Sequence, residues 1–518
     1  MPAIARRPDI RLAMGRELEL KLATDPDTLA ALAATRLPAG WHAGPWQSHR
    51  LGNRYYDTGD HELRDRGISL RLRQDDNQFT QTIKTAGSSL SGLHRRNEWN
   101  VNVTGPDLDP VRLPETEWTP WLTSLWRQQK LQAVFSTDFE RRTRELRHDS
   151  GTVVELALDH GAVHADEEHD PISEVELELL SGEPAPLFEL ARQLASHHPL
   201  HPDSRSKAER GYRLLGWHEP ASARLQPILI KEGATLWQLL YDSLQNAWQH
   251  WQLYEKEFVS KPSVVAAEQM RRALGLFRHA LVCYSGLPLP VAMRGWRRQL
   301  THMLQAFRWV GMARAQQAAD DIVWSTQGED YLPHHDELLE QLPDERDFAP
   351  GIVAVEQLLD SRRYALFALD VAQFLLQAPT DIDAPLLQPA SERATELVIR
   401  QWGALQKIWD SAPSTPDFGY YERQKRLLRR ALWSCLIFGE LFDERQRALF
   451  INPCRDLLAG IEDNQTLASL DQLGRQLSDD QYRDFTGWLF AQRETLWSAL
   501  QLTREFALRA EPETLENG

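Results

Sequence analysis

Across residues 17–216, short stretches of this chain alternate charged and apolar residues. The segment GRELELKL (15–22) is an example, because as a strand it places Glu17, Glu19 and Lys21 on one face and leucines on the other. The segment SEVELEL (173–179) repeats the arrangement. A sheet of such strands has one ionic face and one apolar face, and the apolar face must be covered by other elements.

Acidic and basic residues are sorted onto different predicted strands. The acidic set, beyond the first strand, is Asp159, Glu174, Glu176 and Glu178, and the basic set is Arg71, Arg73, Lys84, Arg96, Arg141 or its neighbour Arg142, and Lys207. A single pair of glutamates is more often a solvated surface, where ion pairs contribute roughly 0–1 kcal/mol. The sorting, with apolar partners on every reverse face, favours a functional surface over a solvated one. If the sheet closes into a barrel with its charged faces inward, the interior has an acidic wall and a basic wall.

An interior with an acidic wall and a basic wall requires counter-charges. Carboxylates within ~4 Å of one another in a reduced dielectric repel by several kcal/mol, so they take up protons or bind a cation. Oxygen ligands alone favour Mg²⁺ or Mn²⁺ over zinc. Arginine and lysine side chains match phosphate oxygens. The pattern therefore predicts a metal-bridged phosphate chain.

The periodicity changes once, after a linker predicted at residues 218–228. In LWQLLYDSLQNAWQHWQLY, apolar residues recur every three or four positions from Trp237 to Trp251, which is typical of a long amphipathic helix. We therefore predict an α+β chain, with a β-rich domain followed by an all-α helical bundle. The predicted divisions are an N-terminal extension (1–14), the β-rich domain (15–217), the linker, the helical domain (229–508) and a tail (509–518).

Composition excludes several classes of function. The net charge of −16 argues against nonspecific binding to nucleic acid or anionic membranes. Three cysteines without a paired spacing, no secretory h-region and no run of about 20 apolar residues predict a cytoplasmic protein. The P-loop pattern G-x-x-x-x-G-K-[ST] and the G-x-S-x-G elbow are both missing from the sequence, so neither a P-loop nucleotide enzyme nor that type of acyl transferase is indicated.

The ordered motifs resemble a known family. ELELK, NRYYDT, LRLR, Lys84, VVELALD, SEVELEL and SKAERGY occur in the order of a CYTH domain, the triphosphate tunnel metalloenzyme family, and extend over nearly all of residues 15–216. The helical remainder resembles a CHAD domain, and the tandem resembles bacterial CYTH-CHAD inorganic triphosphatases. The resemblance implies an eight-stranded antiparallel barrel that forms a tunnel.

The resemblance also implies roles for individual residues. Those implied to hold the divalent metal are Glu17, Glu19, Asp159, Glu174, Glu176 and Glu178, and those implied to contact phosphate are Lys21, Arg71, Arg73, Lys84, Arg96, Arg141 and Lys207. Tyr55 and Lys84 correspond to a pair that activates water, whereas Tyr56 points the other way. The implied reaction is hydrolysis of tripolyphosphate to pyrophosphate and phosphate, with Mg²⁺ or Mn²⁺ as cofactor.

The helical half departs from its family. CHAD helices carry a recurring histidine followed by arginines, a surface associated with polyphosphate. Here the corresponding helix has Arg271 and Arg272 without the histidine, and Glu422 lies near the expected position in a later one. A run such as RQKRLLRR is more often a solvated helix face than a site. We expect this half to be a scaffold or to bind a partner, with polyphosphate as one candidate.

Two classes of function stay open. One is a hydrolase acting on inorganic triphosphate or, as elsewhere in the family, on thiamine triphosphate or a nucleotide. The other is a noncatalytic polyphosphate-binding or scaffold protein. Binding alone needs only the basic residues. Catalysis needs two pairs of glutamates, Glu17 with Glu19 and Glu174 with Glu176, and the sequence has both.

Overall fold

The computed structural model describes residues 13–218, 220–326, 332–343, 347–413 and 416–509. Residues 1–12 of the predicted extension, position 219 of the predicted linker and residues 510–518 of the predicted tail lie outside the described residues. The chain divides into two compact units. The barrel unit holds the described part of Met1–Pro220 together with Leu359–Gln377, and the helical unit holds the described parts of Ala221–Leu358 and Ala378–Gly518.

The described residues of the barrel unit form eleven strands and six α-helices. The strands are β1 (Ala13–Ala23), β2 (Trp41–Ala43), β3 (Gln47–Asp57), β4 (Ile68–Asp75), β5 (Gln78–Thr85), β6 (Ser88–Leu90), β7 (Leu93–Val103), β8 (Gln132–His148), β9 (Val153–Ala165), β10 (Glu168–Ser181) and β11 (His201–Pro202). The first five helices are α1 (Pro26–Ala34), α2 (Glu62–Asp65), α3 (Thr119–Arg127), α4 (Pro184–His197) and α5 (Lys207–Leu214). A short 3-10 helix covers Pro110–Arg112.

Eight of these strands close into an antiparallel barrel. Their order is β1-β10-β9-β8-β3-β4-β5-β7, and β7 pairs again with β1. The closing pair sets Glu17 opposite Arg96, while on its other edge β1 sets Lys21 opposite Glu176. This closed barrel followed by a mostly helical region confirms the predicted fold class.

The apolar face of the strands points outward, where helices cover it. Leu20 of β1 and Leu177 of β10 are fully buried in a core shared with Phe188 of α4 and Leu369 of a later helix, α12 (Arg362–Leu376). A second outer core joins β4, β5 and β7 to α2 and α3. The alternation of charged and apolar residues therefore separates an ionic interior from these outer cores.

The interior is not ionic throughout. Tyr55, Phe135 and Phe139 lie in an apolar cluster that includes Tyr212 of α5. Gly211 permits this packing, because a Cβ at that position would lie 2.2 Å from the Phe135 ring. The Tyr212 hydroxyl donates to Asp57 at 3.0 Å. The predicted lining of charges is thus interrupted by an apolar patch against which α5 packs.

Helix α12 belongs to the barrel unit although it lies far along the chain. Arg192 of α4 donates to Gln373 of α12 at 2.7 Å, and Arg362 donates to the carbonyl of Ser196 at 3.0 Å. Residue-by-residue periodicity does not separate this helix from its neighbours, and the predicted domain bounds placed it in the helical domain. Those bounds stay a prediction.

The described residues of the helical unit are almost entirely helical. Its α-helices are α6 (Leu236–Ser260), α7 (Val264–Cys283), α8 (Trp296–Met303), α9 (Val310–Ser325), α10 (His335–Glu340), α11 (Ala349–Leu359), α13 (Ala390–Asp410), α14 (Phe418–Glu422), α15 (Lys425–Phe438), α16 (Glu444–Gly474) and α17 (Asp479–Arg509). Short 3-10 helices cover Val291–Met293, Leu304–Phe307, Ala384–Leu386 and Gly439–Leu441. The predicted stripe on α6 is buried, with Trp248 and Trp251 fully enclosed. No helix in the described ranges combines the length and apolar character needed to cross a membrane.

Candidate active site

Three buried carboxylates converge inside the barrel, and we call Asp159, Glu174 and Glu176 the acidic triad. Asp159 lies on β9 and faces Glu174 across the ladder to β10, and Glu176 is two residues further along β10 on the same face. One oxygen from each residue lies within 4.8 Å of the other two. An all-oxygen set of this kind fits a hard divalent cation, so these residues can hold the metal that the sequence predicted.

Two basic side chains between them contact all three carboxylates of the acidic triad. Arg141 donates from Nε and Nη2 to Asp159 at 2.7 and 2.6 Å and also contacts Glu176. Lys207, the first residue of α5, lies 2.7 Å from Asp159 and 2.9 Å from Glu176 and contacts Glu174. Burial lowers the pKa of the ammonium, but the three carboxylates outweigh it and raise the pKa of Lys207. The cluster is therefore a compact network of paired charges.

The position of Arg142 shows why only one of the adjacent arginines joins the network. Successive residues of β8 point to opposite faces of the sheet. The Arg142 guanidinium lies 5.2 Å from the centre of the Trp46 ring, outside the ionic interior. Of the two arginines, Arg141 is thus the one that reaches the acidic triad. It is also the one that its spacing to the following strand residues favoured.

A second ionic group lies around Glu17. Its carboxylate accepts from Lys84 at 3.0 Å and from Arg96 at 3.0 Å. Burial raises the pKa of Glu17, but Lys84 and Arg96 outweigh this effect and hold that pKa well below its usual range. Lys84 also lies 2.9 Å from Glu98, which in turn is 3.8 Å from Arg71. Lys84 is therefore held between two carboxylates.

Glu19 and Glu178 are acidic residues with the opposite behaviour. They face each other across the pairing of β1 with β10. Burial, followed by repulsion from Glu176 and Glu17, raises the pKa of Glu19 well above its ordinary value. Burial, followed by the charge of Glu17, raises the pKa of Glu178 to about 7. These residues retain protons at a pH where surface glutamates do not, because burial and repulsion between neighbouring carboxylates both disfavour the charged form.

The basic wall is crowded as well. Burial, followed by the charges of Arg71 and Arg141, lowers the pKa of Arg73 to about 9. Arg73 donates to the amide oxygen of Asn53 at 3.1 Å. The Nε of Arg71 is buried without a hydrogen-bond partner in the part of the chain that the structure describes. Guanidinium groups held together in this way provide the environment that a polyanion would complete.

Tyr55 and Lys84 are not brought together. The Tyr55 hydroxyl accepts from Arg71 at 3.5 Å, and its ring stacks on Phe135. Burial raises the pKa of the phenol, but the charges of Arg71 and Lys207 outweigh it, and the pKa of Tyr55 is lowered. Across the described residues, no hydrogen bond joins Tyr55 to Lys84. The implied water-activating pair stays a prediction.

Lys21 differs from the basic residues described above because its ammonium bonds a backbone carbonyl. Its ammonium donates to the carbonyl of Arg205 and lies 3.6 Å from Glu174. Arg205 is fixed in turn by two hydrogen bonds to Asp203, at 3.0 and 2.9 Å. Lys21 supports one edge of the acidic triad in this arrangement, and its predicted contact with phosphate stays untested.

Sequence reasoning left two interior residues out of the site. Glu98 contacts Lys84 and lies near Arg71, and Asn53 positions Arg73. Strand phase was the available signal, because Glu98 lies two residues from Arg96 and Asn53 lies two residues from Tyr55. Neither residue belonged to the acidic or basic sets from which the other site residues were predicted.

Comparison with known proteins fits this geometry. The CYTH domain model matches residues 15–212, and the CHAD domain model matches residues 242–485. The chain thus contains a CYTH domain followed by a CHAD domain. It is 38% identical over 208 residues to an inorganic triphosphatase of Haemophilus influenzae. That alignment covers 39% of this chain and spans 56% of the length of the relative.

Solved structures match parts of the chain. The CHAD domain from the plant Ricinus communis is 17% identical, with a TM-score of 0.42, and the match covers 56% of this chain and 98% of that one. The PH1819 protein of Pyrococcus horikoshii is 16% identical, with a TM-score of 0.26, and covers 39% of this chain and 99% of that one.

The CHAD domain contains a cleft of about 770 Å³. Its basic lining residues are Arg271, Arg308, Arg423, Lys425, Arg426 and Arg429. Glu422 also lines the cleft. Burial, followed by the charge of Arg271, lowers the pKa of Arg429. Burial, followed by the charge of Arg429, lowers the pKa of Lys425. The helix face expected to be solvated is therefore part of a basic cleft.

Proposed function

We propose that the CYTH domain hydrolyses inorganic triphosphate to pyrophosphate and phosphate in a metal-dependent reaction. The observation that carries the proposal is the placement of an all-oxygen acidic triad against buried guanidinium groups inside one barrel. The similarity to the Haemophilus influenzae inorganic triphosphatase supports the same reaction. A barrel that bound only anions would not need the acidic wall.

The roles proposed for the interior residues follow their positions. Asp159, Glu174 and Glu176 would hold one divalent cation, and Glu17, Glu19 and Glu178 are proposed as further ligands of divalent metal beside it. The residues proposed to contact the phosphates are Lys21, Arg71, Arg73, Lys84, Arg96, Arg141 and Lys207. Lys84, which bonds Glu17 and Glu98, and Tyr55, which bonds Arg71, are the residues proposed to orient the attacking water.

The proposed cofactor is Mg²⁺ or Mn²⁺. When bound, such an ion neutralises phosphate oxygens and lowers the pKa of a water molecule that attacks the terminal phosphorus. Arg71, Arg73 and Arg141 would bind the charge that spreads over the phosphate oxygens as the bond to the leaving pyrophosphate breaks. The chain's contribution is then chiefly positioning and charge.

The test is phosphate release from tripolyphosphate, thiamine triphosphate and ATP, with Mg²⁺, with Mn²⁺ and with chelator. We expect tripolyphosphate to react fastest and chelator to stop the reaction. Equal rates on ATP would contradict the choice of substrate. Tight binding of tripolyphosphate without any turnover would favour the noncatalytic polyphosphate-binding alternative.

A second proposed function concerns the CHAD domain, which we propose binds inorganic polyphosphate in its basic cleft. Six basic residues beside one glutamate, in a chain of net charge −16, support this proposal. The test is binding of long-chain polyphosphate to the full chain and to the Arg426→Ala/Arg429→Ala double variant. We expect the double variant to bind more weakly and to hydrolyse tripolyphosphate at the normal rate.

We also propose that the protein acts in the cytoplasm. All three cysteines, Cys283, Cys435 and Cys454, are buried and unpaired, which fits a reducing compartment. Fractionation of cells that express the chain, followed by detection with an antibody, tests this proposal.

A further inference from the structure

Lys207 occupies an unusual position in the ionic interior. Its single ammonium contacts all three carboxylates of the acidic triad, Asp159, Glu174 and Glu176. It begins α5, whose first turn is held by a reciprocal pair of hydrogen bonds between Ser206 and Glu209. The backbone at Lys207 is thus fixed, while the four-carbon stem gives the ammonium several positions it can reach.

A divalent cation bound to the triad would compete directly with this ammonium. Both positive charges require the same carboxylate oxygens, and like charges a few ångströms apart repel strongly in a buried site. Displacing the ammonium without a new partner would leave a buried unpaired charge, which costs several kcal/mol. A cation that binds alone therefore loses much of its binding free energy.

A phosphate chain removes that cost. Its oxygens would accept the displaced Lys207 and the freed half of Arg141, whose Nη2 bonds both Asp159 and Glu176. A phosphate chain that binds without the metal meets the opposite difficulty. It would draw Lys207 and Arg141 away from the acidic triad and leave those carboxylates without counter-charges. Each ligand thus supplies the charge that the other displaces.

We infer that Lys207 exchanges the acidic triad for the triphosphate when the metal binds, so that metal and triphosphate each strengthen the binding of the other. This inference rests on the proposed function, because it assigns a binding order to the same site. Lys207 acts as the resident counter-cation of the free protein and as a phosphate ligand of the loaded one. The species that the barrel binds best is then the metal–triphosphate complex.

The first test uses the unaltered full chain. Mn²⁺ is titrated by electron paramagnetic resonance with and without diimidotriphosphate, in which NH groups replace the bridging oxygens, after subtraction of Mn²⁺ held by the analogue in buffer. We expect the analogue to tighten Mn²⁺ binding at least about tenfold, within the usual range of coupling between two ligands. By reciprocity, Mn²⁺ should tighten binding of the analogue by the same factor. Independent binding of the two ligands would overturn the inference.

The second test uses Lys207→Met, which keeps the stem and removes the charge. We expect Mn²⁺ alone to bind this variant about tenfold more tightly, and the analogue to strengthen Mn²⁺ binding far less than in the unaltered chain. Lys130→Met, at an exposed lysine of the same unit, is the matched control and should change neither quantity. Unchanged or weaker Mn²⁺ binding by Lys207→Met would overturn the inference.

The outcomes separate this inference from the proposed function. Hydrolysis of tripolyphosphate with independent binding of Mn²⁺ and analogue would leave the function standing and refute the exchange. No binding of the analogue at any Mn²⁺ concentration would refute both. If Lys207→Met fails to fold, the titration of the unaltered chain decides the question by itself.

Discussion

The raised pKa of Glu178 provides a quantitative test of the charge balance inside the barrel. Glu178 lies on β10 opposite Glu19, and on the other edge of the strand it faces Glu155. Burial, followed by repulsion from Glu17, raises its pKa from 4.5 to about 7. Replacing Glu178 with Gln keeps the shape of the side chain and removes the titrating group.

The sign and size of the effect follow from proton linkage. Between pH 4.5 and pH 7 the folded protein holds this proton more tightly than the unfolded chain, so the free energy of unfolding falls as the pH rises through that window. With these two pKa values, the contribution lost between pH 6 and pH 8 is about 1 kcal/mol. For a chain of 518 residues that loss lowers the melting temperature by on the order of 1 °C.

The assay is denaturant and thermal unfolding at pH 6, 7 and 8 in the presence of chelator. We expect the unaltered chain to lose about 1 kcal/mol more stability than Glu178→Gln across this range. Glu168→Gln, at an exposed position of the same strand, is the control and should behave as the unaltered chain does. Parallel pH profiles for the unaltered chain and Glu178→Gln would refute the assignment of a proton to this residue.

Three further substitutions test a proposed metal ligand, a proposed phosphate contact and the packing of α5. Glu19→Gln should reduce tripolyphosphate turnover by at least about a hundredfold with little change in melting temperature, because it removes a metal-binding charge; normal turnover would remove Glu19 from the site. Arg73→Ala should raise the KM for tripolyphosphate about tenfold or more, whereas Arg54→Ala, exposed on the same strand pair, should not; equal KM values would contradict the role of Arg73. Gly211→Ala should destabilise the chain by roughly 1–3 kcal/mol because its Cβ would meet Phe135, while Gly52→Ala, with no atom within 4 Å of its added Cβ, should cost less; equal melting temperatures for both variants would argue against the packing of α5.

The division of the strand faces could be predicted because it depends on a local pattern, whereas closure into an eight-stranded barrel was implied by the resemblance to the CYTH family. Alternation along β1 and β10 determines which side chains share a face, and the same phase separates Arg141 from Arg142. Charge sorting placed Asp159, Glu174 and Glu176 in a larger set of acidic residues predicted to share one interior, and the structure shows that these three converge. These inferences needed only strand periodicity and the cost of unpaired charge.

Other features depend on contacts between distant segments, and no local pattern signals them. Tyr55 follows the same phase as Asn53 yet packs in an apolar patch, because α5 returns to cover that part of the interior. Lys21 lies in the predicted face, but the carbonyl of Arg205 captures its ammonium. Helix α12 has the same periodicity as its neighbours in the helical unit, so its burial against α4 could not be predicted from periodicity.

The central claim is that the barrel interior holds a divalent cation against a phosphate chain. Its most direct test is a crystal structure of the full chain with Mn²⁺ and diimidotriphosphate, with anomalous scattering recorded at a wavelength where manganese scatters strongly. We expect an anomalous peak beside Asp159, Glu174 and Glu176, with phosphate oxygens in contact with Arg71 and Arg73. Phosphate density elsewhere on the chain, with no manganese inside the barrel, would contradict it.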